Sequence, residues 1–236
     1  LIFMNNFTQS IFTSSKNSYK KMVALCSFLL MSGLSFGQIN MSTTGSNTQN
    51  FNSLSSTAAA TPPWTDNSTI ANWYSQRSGS GTTYAVGTGS ANGGNLYSFG
   101  STSASDRAIG TVGSGNAAAG NFAHGVLLRN TSGSTLTDLK VSYTMEQWRK
   151  EANTTPHTIT FWYKISSSTI TNLNPNSNGT WTQVTALSTT SPINTSATAT
   201  ALDGNLTANK VTLSNISIPS LSLGNNDYIM LKWEDP

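Results

Sequence analysis

This sequence is short of cysteine, charge and histidine, and each shortage closes off a class of chemistry. Cys26 is the single cysteine and sits inside an apolar run, so a disulfide framework and cysteine-based metal sites are excluded. Charged residues make up 9% of the 236 positions, against roughly a quarter in an average soluble protein. The two histidines, His124 and His157, fall in no metal-spaced cluster. The chain carries no phosphate-binding loop and no dinucleotide fingerprint. Its carboxylates are few and scattered. A glycosidase needs two at about 5–10 Å, and Glu146 is the candidate for one of them.

What is present is polar but uncharged. Ser, Thr and Asn together supply about 40% of the chain, far above ordinary usage. Aromatics still reach 9%, with six Trp. A disordered chain lacks such aromatics and usually carries more charge. The mixture describes a foldable chain with an uncharged polar surface, and it suits an extracellular β-protein.

The formal charge of +3 is concentrated near one end. Lys16, Lys20 and Lys21 precede Met22 to Phe36, a charge-free apolar run. That run is shorter than the about 20 residues needed to span a bilayer. It reads as the helical h-region of a secretory signal peptide behind a basic n-region. Ser35 and Gly37 supply the small residues ahead of a cut before Gln38. With those three lysines set aside, nine basic residues face nine acidic ones. A neutral chain lacks the basic stripe that a phosphate backbone requires. Nucleic acid is therefore not an expected partner, nor is a membrane once the leader is removed. At the other end the chain stops at Lys232-Trp233-Glu234-Asp235-Pro236, directly after an apolar run. The expectation is a fragment of a longer protein.

The pattern between these ends divides the chain into a leader with its upstream residues (1–37), a flexible lead-in (38–61) and one β domain (62–236). Phe51 and Leu54 are the first anchors of the lead-in. Pro62-Pro63-Trp64 is a rigid turn into Asp66-Asn67-Ser68-Thr69, a quartet suited to capping. Leu139, Val141, Tyr143 and Met145 alternate with Lys140, Ser142, Thr144 and Glu146. Ile159, Phe161, Tyr163 and Ile165 alternate with Thr158, Thr160, Trp162 and Lys164. Period two places one face in a core and the other outside. Lys210 to Ile218 alternates with a slip at Asn215, the mark of a bulge. No segment after residue 75 shows helical periodicity. The fold class is all-β, an antiparallel two-sheet sandwich of jelly-roll type. Ser166 to Asn178 and Ser188 to Ala201 read as surface loops.

Candidate site residues fall into three groups, each with a plainer reading beside it. Trp64, Trp73, Trp148, Trp162 and Trp181 have flat faces on which a sugar ring could stack. Trp148, Trp162 and Trp181 are the main candidates, and the plainer role is closing the core. Asp203, Asn205, Glu234 and Asp235 offer hard oxygens to a structural calcium, while Asp203-Gly204-Asn205 also suits a turn. No other cofactor is expected. Asp106 with Arg107, and Glu146 with Arg149, read as ion pairs that fix corners.

Several segments resemble a known family. They are Leu96-Tyr97-Ser98-Phe99-Gly100-Ser101, Ser105-Asp106-Arg107-Ala108-Ile109-Gly110, Met145-Glu146-Gln147-Trp148-Arg149, Leu202-Asp203-Gly204-Asn205 and Ile229 to Asp235. Over about residues 50–236 the chain resembles an uncharacterised β-sandwich module of secreted Bacteroidetes-type surface proteins. Such modules stand near the N-terminus, with extracellular domains or a sorting signal downstream, and in them a turn and a last strand follow the stretch matching Trp233-Glu234-Asp235. The resemblance therefore implies a sandwich truncated at its C-terminal strand, with further domains of the same chain downstream. The resemblance assigns no catalytic residue. With the leader, the neutral charge and the want of a catalytic cluster, the expectation is a non-catalytic module of a longer secreted or cell-surface bacterial protein, one that binds polysaccharide or cell-surface glycan or supports adhesion. An accessory domain of a secreted hydrolase and a purely structural spacer are the alternatives.

Overall fold

The computed structural model describes residues 3–12, 37–152, 154–195 and 198–236. In chain order the strands begin with β1 (Phe3–Phe12), β2 (Ile39–Met41), β3 (Thr44–Gln49), β4 (Trp73–Arg77), β5 (Tyr84–Gly87), β6 (Asn95–Phe99), β7 (Ala108–Val112) and β8 (Phe122–Asn130). They continue with β9 (Lys140–Glu146), β10 (Arg149–Lys150), β11 (Thr158–Ser166), β12 (Thr182–Gln183), β13 (Thr189–Thr190), β14 (Thr200–Ala201), β15 (Lys210–Ser217) and β16 (Tyr228–Asp235). Two single-turn 3₁₀ segments complete the regular structure of the described residues. The expected h-region, Met22 to Phe36, lies outside the described residues. Among those described, no helix is long and apolar enough to cross a membrane.

The strands form two seven-stranded sheets and a two-stranded ribbon. One sheet runs β15-β9-β1-β7-β6-β5, with β3 on the remaining edge of β1. The other runs β12-β11-β16-β8-β2, with β13 on β11 and β4 on β8. β10 and β14 pair by themselves, Arg149 opposite Ala201.

The alternation read in β9 is the alternation found. Val141, Tyr143 and Met145 are buried, while Lys140, Ser142 and Thr144 are partly exposed. One core joins both sheets. Trp233 of β16 lies at its centre, stacked on Trp73 at 5.9 Å and meeting the rings of Tyr143 and Phe161 edge-on at 5.6 and 5.1 Å. Val126, Leu128, Ile229 and Leu231 extend this core along the second sheet, and Leu96, Ile109 and Met145 along the first. Each large side chain of this kind contributes about 3–5 kcal/mol when judged by truncation. The slip at Asn215 is a bulge. The β15–β9 register shifts between Leu213 and Ile216, Asn215 takes φ of 53°, and its N–H donates to the Ser142 hydroxyl at 2.7 Å.

Two segments read as loose are built into the fold. In the lead-in, β2 pairs in parallel with β8 and β3 pairs with β1, while Phe51 is fully buried beside Trp73. Ser166 to Asn178 covers the outer face of the second sheet. Ile170 and Leu173 pack there with Trp181, Ala123, Leu127 and Met230 as a separate apolar cluster. The segment approaches so closely that a Cβ on Gly125 of β8 would sit 2.6 Å from a Leu173 methyl and 3.0 Å from the Leu231 carbonyl oxygen. Gly125→Ala should therefore cost about 1–3 kcal/mol in urea unfolding, the usual penalty for overpacking. A wild-type midpoint would mean that this layer yields freely.

Candidate functional site

A groove of about 490 Å³ lies beside β4. Its wall begins at the Pro62-Pro63-Trp64 turn, where Pro63 bridges to Thr83 and the Trp64 N–H donates to the Thr82 carbonyl at 2.9 Å. The chain then turns tightly, with Thr69 N–H on the Thr65 carbonyl and Thr65 N–H on the Thr69 hydroxyl. This turn aims Asp66 back at its own neighbours. The Asp66 carboxylate accepts the Trp64 indole N–H at 2.7 Å, the Ser75 N–H at 2.8 Å and the Gln76 amide at 2.7 Å. The half-buried indole is thus fixed at its nitrogen, and its ring also meets Tyr84 edge-on at 6.2 Å.

The other walls come from distant parts of the chain. Gln76 reaches the covering segment, donating to the Thr171 carbonyl and accepting the Leu173 N–H, both at 2.8 Å. Arg77 lies 5.2 Å over the Phe122 ring and donates to the Asn95 amide oxygen and the Thr83 carbonyl. Burial pushes its guanidinium pKa down. Burial, and secondarily the Asp66 charge, raises the Tyr74 phenol. Asn172 and Pro175 close the groove from the covering segment. An aromatic plate beside several oriented donors and acceptors is the usual make-up of a small-ligand site.

A second cavity, about 260 Å³, opens at one end of the sandwich. There His157 Nε2 lies 2.5 Å from the Asp235 carboxylate, and the Thr111 hydroxyl donates to its other oxygen. Burial would raise the Asp235 pKa, but the contacts with His157 and Thr111 outweigh it and hold the carboxyl below its usual value. Ser191 accepts the His157 backbone N–H at 3.0 Å. This cluster ties the start of β11 to the end of β16.

The chain matches no protein-family model, no curated protein and no solved structure.

The residues singled out in the sequence are dispersed. Trp148 is 2% exposed, stacked on Phe99 at 6.3 Å, with its indole N–H on Glu146 at 2.9 Å. A Cβ on Gly204 would meet that indole nitrogen at 2.3 Å, and Gly89, at φ of +84°, passes against the Trp148 carbonyl. Trp181 is buried with Lys232 Nζ 4.3 Å from its ring centre. Both faces are already taken by the protein. Trp162 is half-buried on the outer face, its N–H on Thr160.

The four oxygens considered for calcium do not converge. Glu234 and Asp235 are successive strand residues and point to opposite faces. Glu234 joins Lys232 and the Asn176 N–H, Asp235 joins His157, and Asp203 closes its own turn onto the Asn205 N–H. Among the described residues no cluster of three or more metal-ligating His, Cys, Asp or Glu occurs.

The corner pairs are also rearranged. Glu146 takes Lys210 at 3.0 Å and Arg149 takes Glu151 at 2.9 Å, because the chain leaves β9 at Gln147 and re-pairs with β14. Arg107 is buried with Asp106 beside it in charge, and its hydrogen bonds go to Ser98 and Ser101. Of the groove residues, Trp64 was visible as an aromatic after two prolines and Asp66 as a capping residue. Gln76 and Arg77 gave no signal.

Proposed function

We propose that this chain is a non-catalytic β-sandwich module of a longer secreted or cell-surface bacterial protein, wound as a jelly roll, that binds neutral carbohydrate in the groove beside β4. The observation that carries the reading is the Trp64 indole, clamped by Asp66 at the mouth of a polar groove. A sugar's C–H face stacks on such a ring while its hydroxyls find Asp66, Gln76, Arg77 and Asn172. Asp66 and Arg77 also balance in charge, which suits an uncharged ligand. The neutral, Ser/Thr/Asn-rich surface and the leader-like run support the extracellular setting. The winding is supported by the alternation of the long strands between sheets, β7, β9 and β15 in one and β8, β11 and β16 in the other. Glu146 offers no support to a glycan hydrolase, because it is 1% exposed and bound to Lys210 and Trp148.

A glycan panel followed by titration calorimetry tests the reading. Trp64→Ala should lower affinity about tenfold or more, as loss of a central aromatic does, while Trp162→Ala leaves it unchanged. Near-UV circular dichroism confirms that both variants are folded. Equal binding by Trp64→Ala, or no glycan bound at millimolar concentration, would overturn it.

A further inference from the structure

We infer that the channel between β9 on one side and β7 with β3 on the other is a strand-acceptor site, which binds an extended, uncharged polypeptide segment in trans. In the structure this channel holds β1. One edge of β1 pairs with β9 from Phe3 opposite Glu146 to Ser10 opposite Lys140. The other edge pairs with β7 at Phe3 and Met4, then with β3 from Phe7 to Phe12. Sheet order makes β1 the only link between β15-β9 and β7-β6-β5, and the only partner of β3 among the described residues. Met4, Phe7 and Gln9 sit opposite Met145, Tyr143 and Val141, the inward positions of β9. The β9 edge of the channel therefore offers an apolar inward row, Val141, Tyr143 and Met145, to the strand that pairs with it. The segment Phe3–Phe12 carries no charge at all.

The position of this segment in the chain separates it from the rest of the fold. Phe3–Phe12 precedes Lys16, Lys20, Lys21 and the apolar run, and so lies on the far side of the expected cut before Gln38. The central strand of one sheet is then not covalently secured to the domain it completes. An emptied channel would expose unpaired backbone along β9, β7 and β3, which is a ready template for another strand. Main-chain pairing supplies affinity in this mode of recognition, and alternate side chains supply selectivity. The consequence for the processed protein rests on the leader reading, whereas the acceptor property rests on sheet order alone.

The test uses the full chain with a site-specific protease sequence inserted after Lys21. The cut protein is unfolded in urea and refolded with a tenfold excess of a fluorescent peptide, Phe-Met-Asn-Asn-Phe-Thr-Gln-Ser-Ile-Phe. The expected result is one labelled peptide per chain by native mass spectrometry. The same peptide carrying Thr8→Pro should be taken up about tenfold less or worse, because proline removes a ladder N–H from a residue paired on both sides. No uptake of the labelled peptide, or equal uptake of the proline peptide, overturns the proposal. Sequencing the N-terminus of the exported protein reports on the leader separately. A start at Phe3 or earlier would sink that reading and leave the peptide result standing.

Discussion

Lys232→Ala is expected to remove about 3–5 kcal/mol of stability, the usual result of breaking a buried ion pair from one side. Lys232 lies on the outer face of β16, 0% exposed. Its ammonium lies 2.9 Å from Glu234, donates to the Leu173 carbonyl at 3.2 Å and to the Asn178 amide oxygen, and faces the Trp181 ring at 4.3 Å. Burial pushes its pKa down, and Glu234 draws it partly back. Alanine would leave the Glu234 carboxylate enclosed without its cation, and would strip a donor from two points of the covering segment. Lys232→Met combined with Glu234→Gln removes both charges and keeps an acceptor for the Asn176 N–H. The pair should recover most of the single-variant loss, since a buried pair replaced on both sides is often close to neutral. Urea midpoints for the three proteins decide the matter. A single variant within about 1 kcal/mol of wild type would show that water reaches Glu234. Amide exchange in residues 170–178 should quicken in the single variant and stay near wild type in the double.

The same lysine shows where sequence patterning stops being informative. Val141, Tyr143 and Met145 were legible as core because β9 has one buried face, so period two survives in the residue types. β16 is buried on both faces, and its outer row of Met230, Lys232 and Glu234 reads as polar unless a covering layer is known. That layer is the segment Ser166 to Asn178, whose Ser- and Asn-rich composition resembles any solvent loop. Its two apolar contacts, Ile170 and Leu173, are too sparse to announce a third layer. Tryptophan exposure was unreadable for a related reason. Trp148 and Trp162 both stand among polar and charged neighbours within two residues, yet one is enclosed by Phe99, Gly204 and Gly89 and the other is half-open. Local charge spacing misled at Glu146 and Arg149. Their closeness at a strand end suggested one corner pair, but the break at Gln147 sends each to a different partner. The groove was illegible as a unit because it joins residues 64–66, 75–77 and 172–175. No spacing rule links those positions. Only the pairing of β4 with β8 and the fold-back of the covering segment bring them to one wall.

Acidification should expose a second large effect, at His124. This residue lies in β8 between Ser75 of β4 and Trp233 of β16, and Ser75 Oγ is 2.9 Å from Nδ1. Burial drives its pKa from 6.5 down to about 4, Arg77 adds to that, and Asp235 opposes it. The folded protein therefore holds His124 neutral where the unfolded chain already binds a proton. Between pH 6.5 and about 4 the unfolded state carries more protons at this site, so stability falls as pH falls. At about 1.4 kcal/mol per pKa unit, the loss across this window is about 3 kcal/mol. The Asp235 contribution has the same direction in a lower window. Its folded pKa is depressed, so its stabilisation is complete above 3.8 and declines only below that value. His124→Gln keeps a partner for Ser75 and has no titration in this range. The variant should be nearly flat at this site from pH 6.5 to 4, and its unfolding free energy should gain about 3 kcal/mol on wild type at the acid end. His157 is common to both proteins, so the difference between their pH profiles isolates His124. Parallel profiles across the window would mean that the imidazole accepts its proton inside the folded sheet. The inner face of β8 would then have to admit water beside Trp233, against the packing found there.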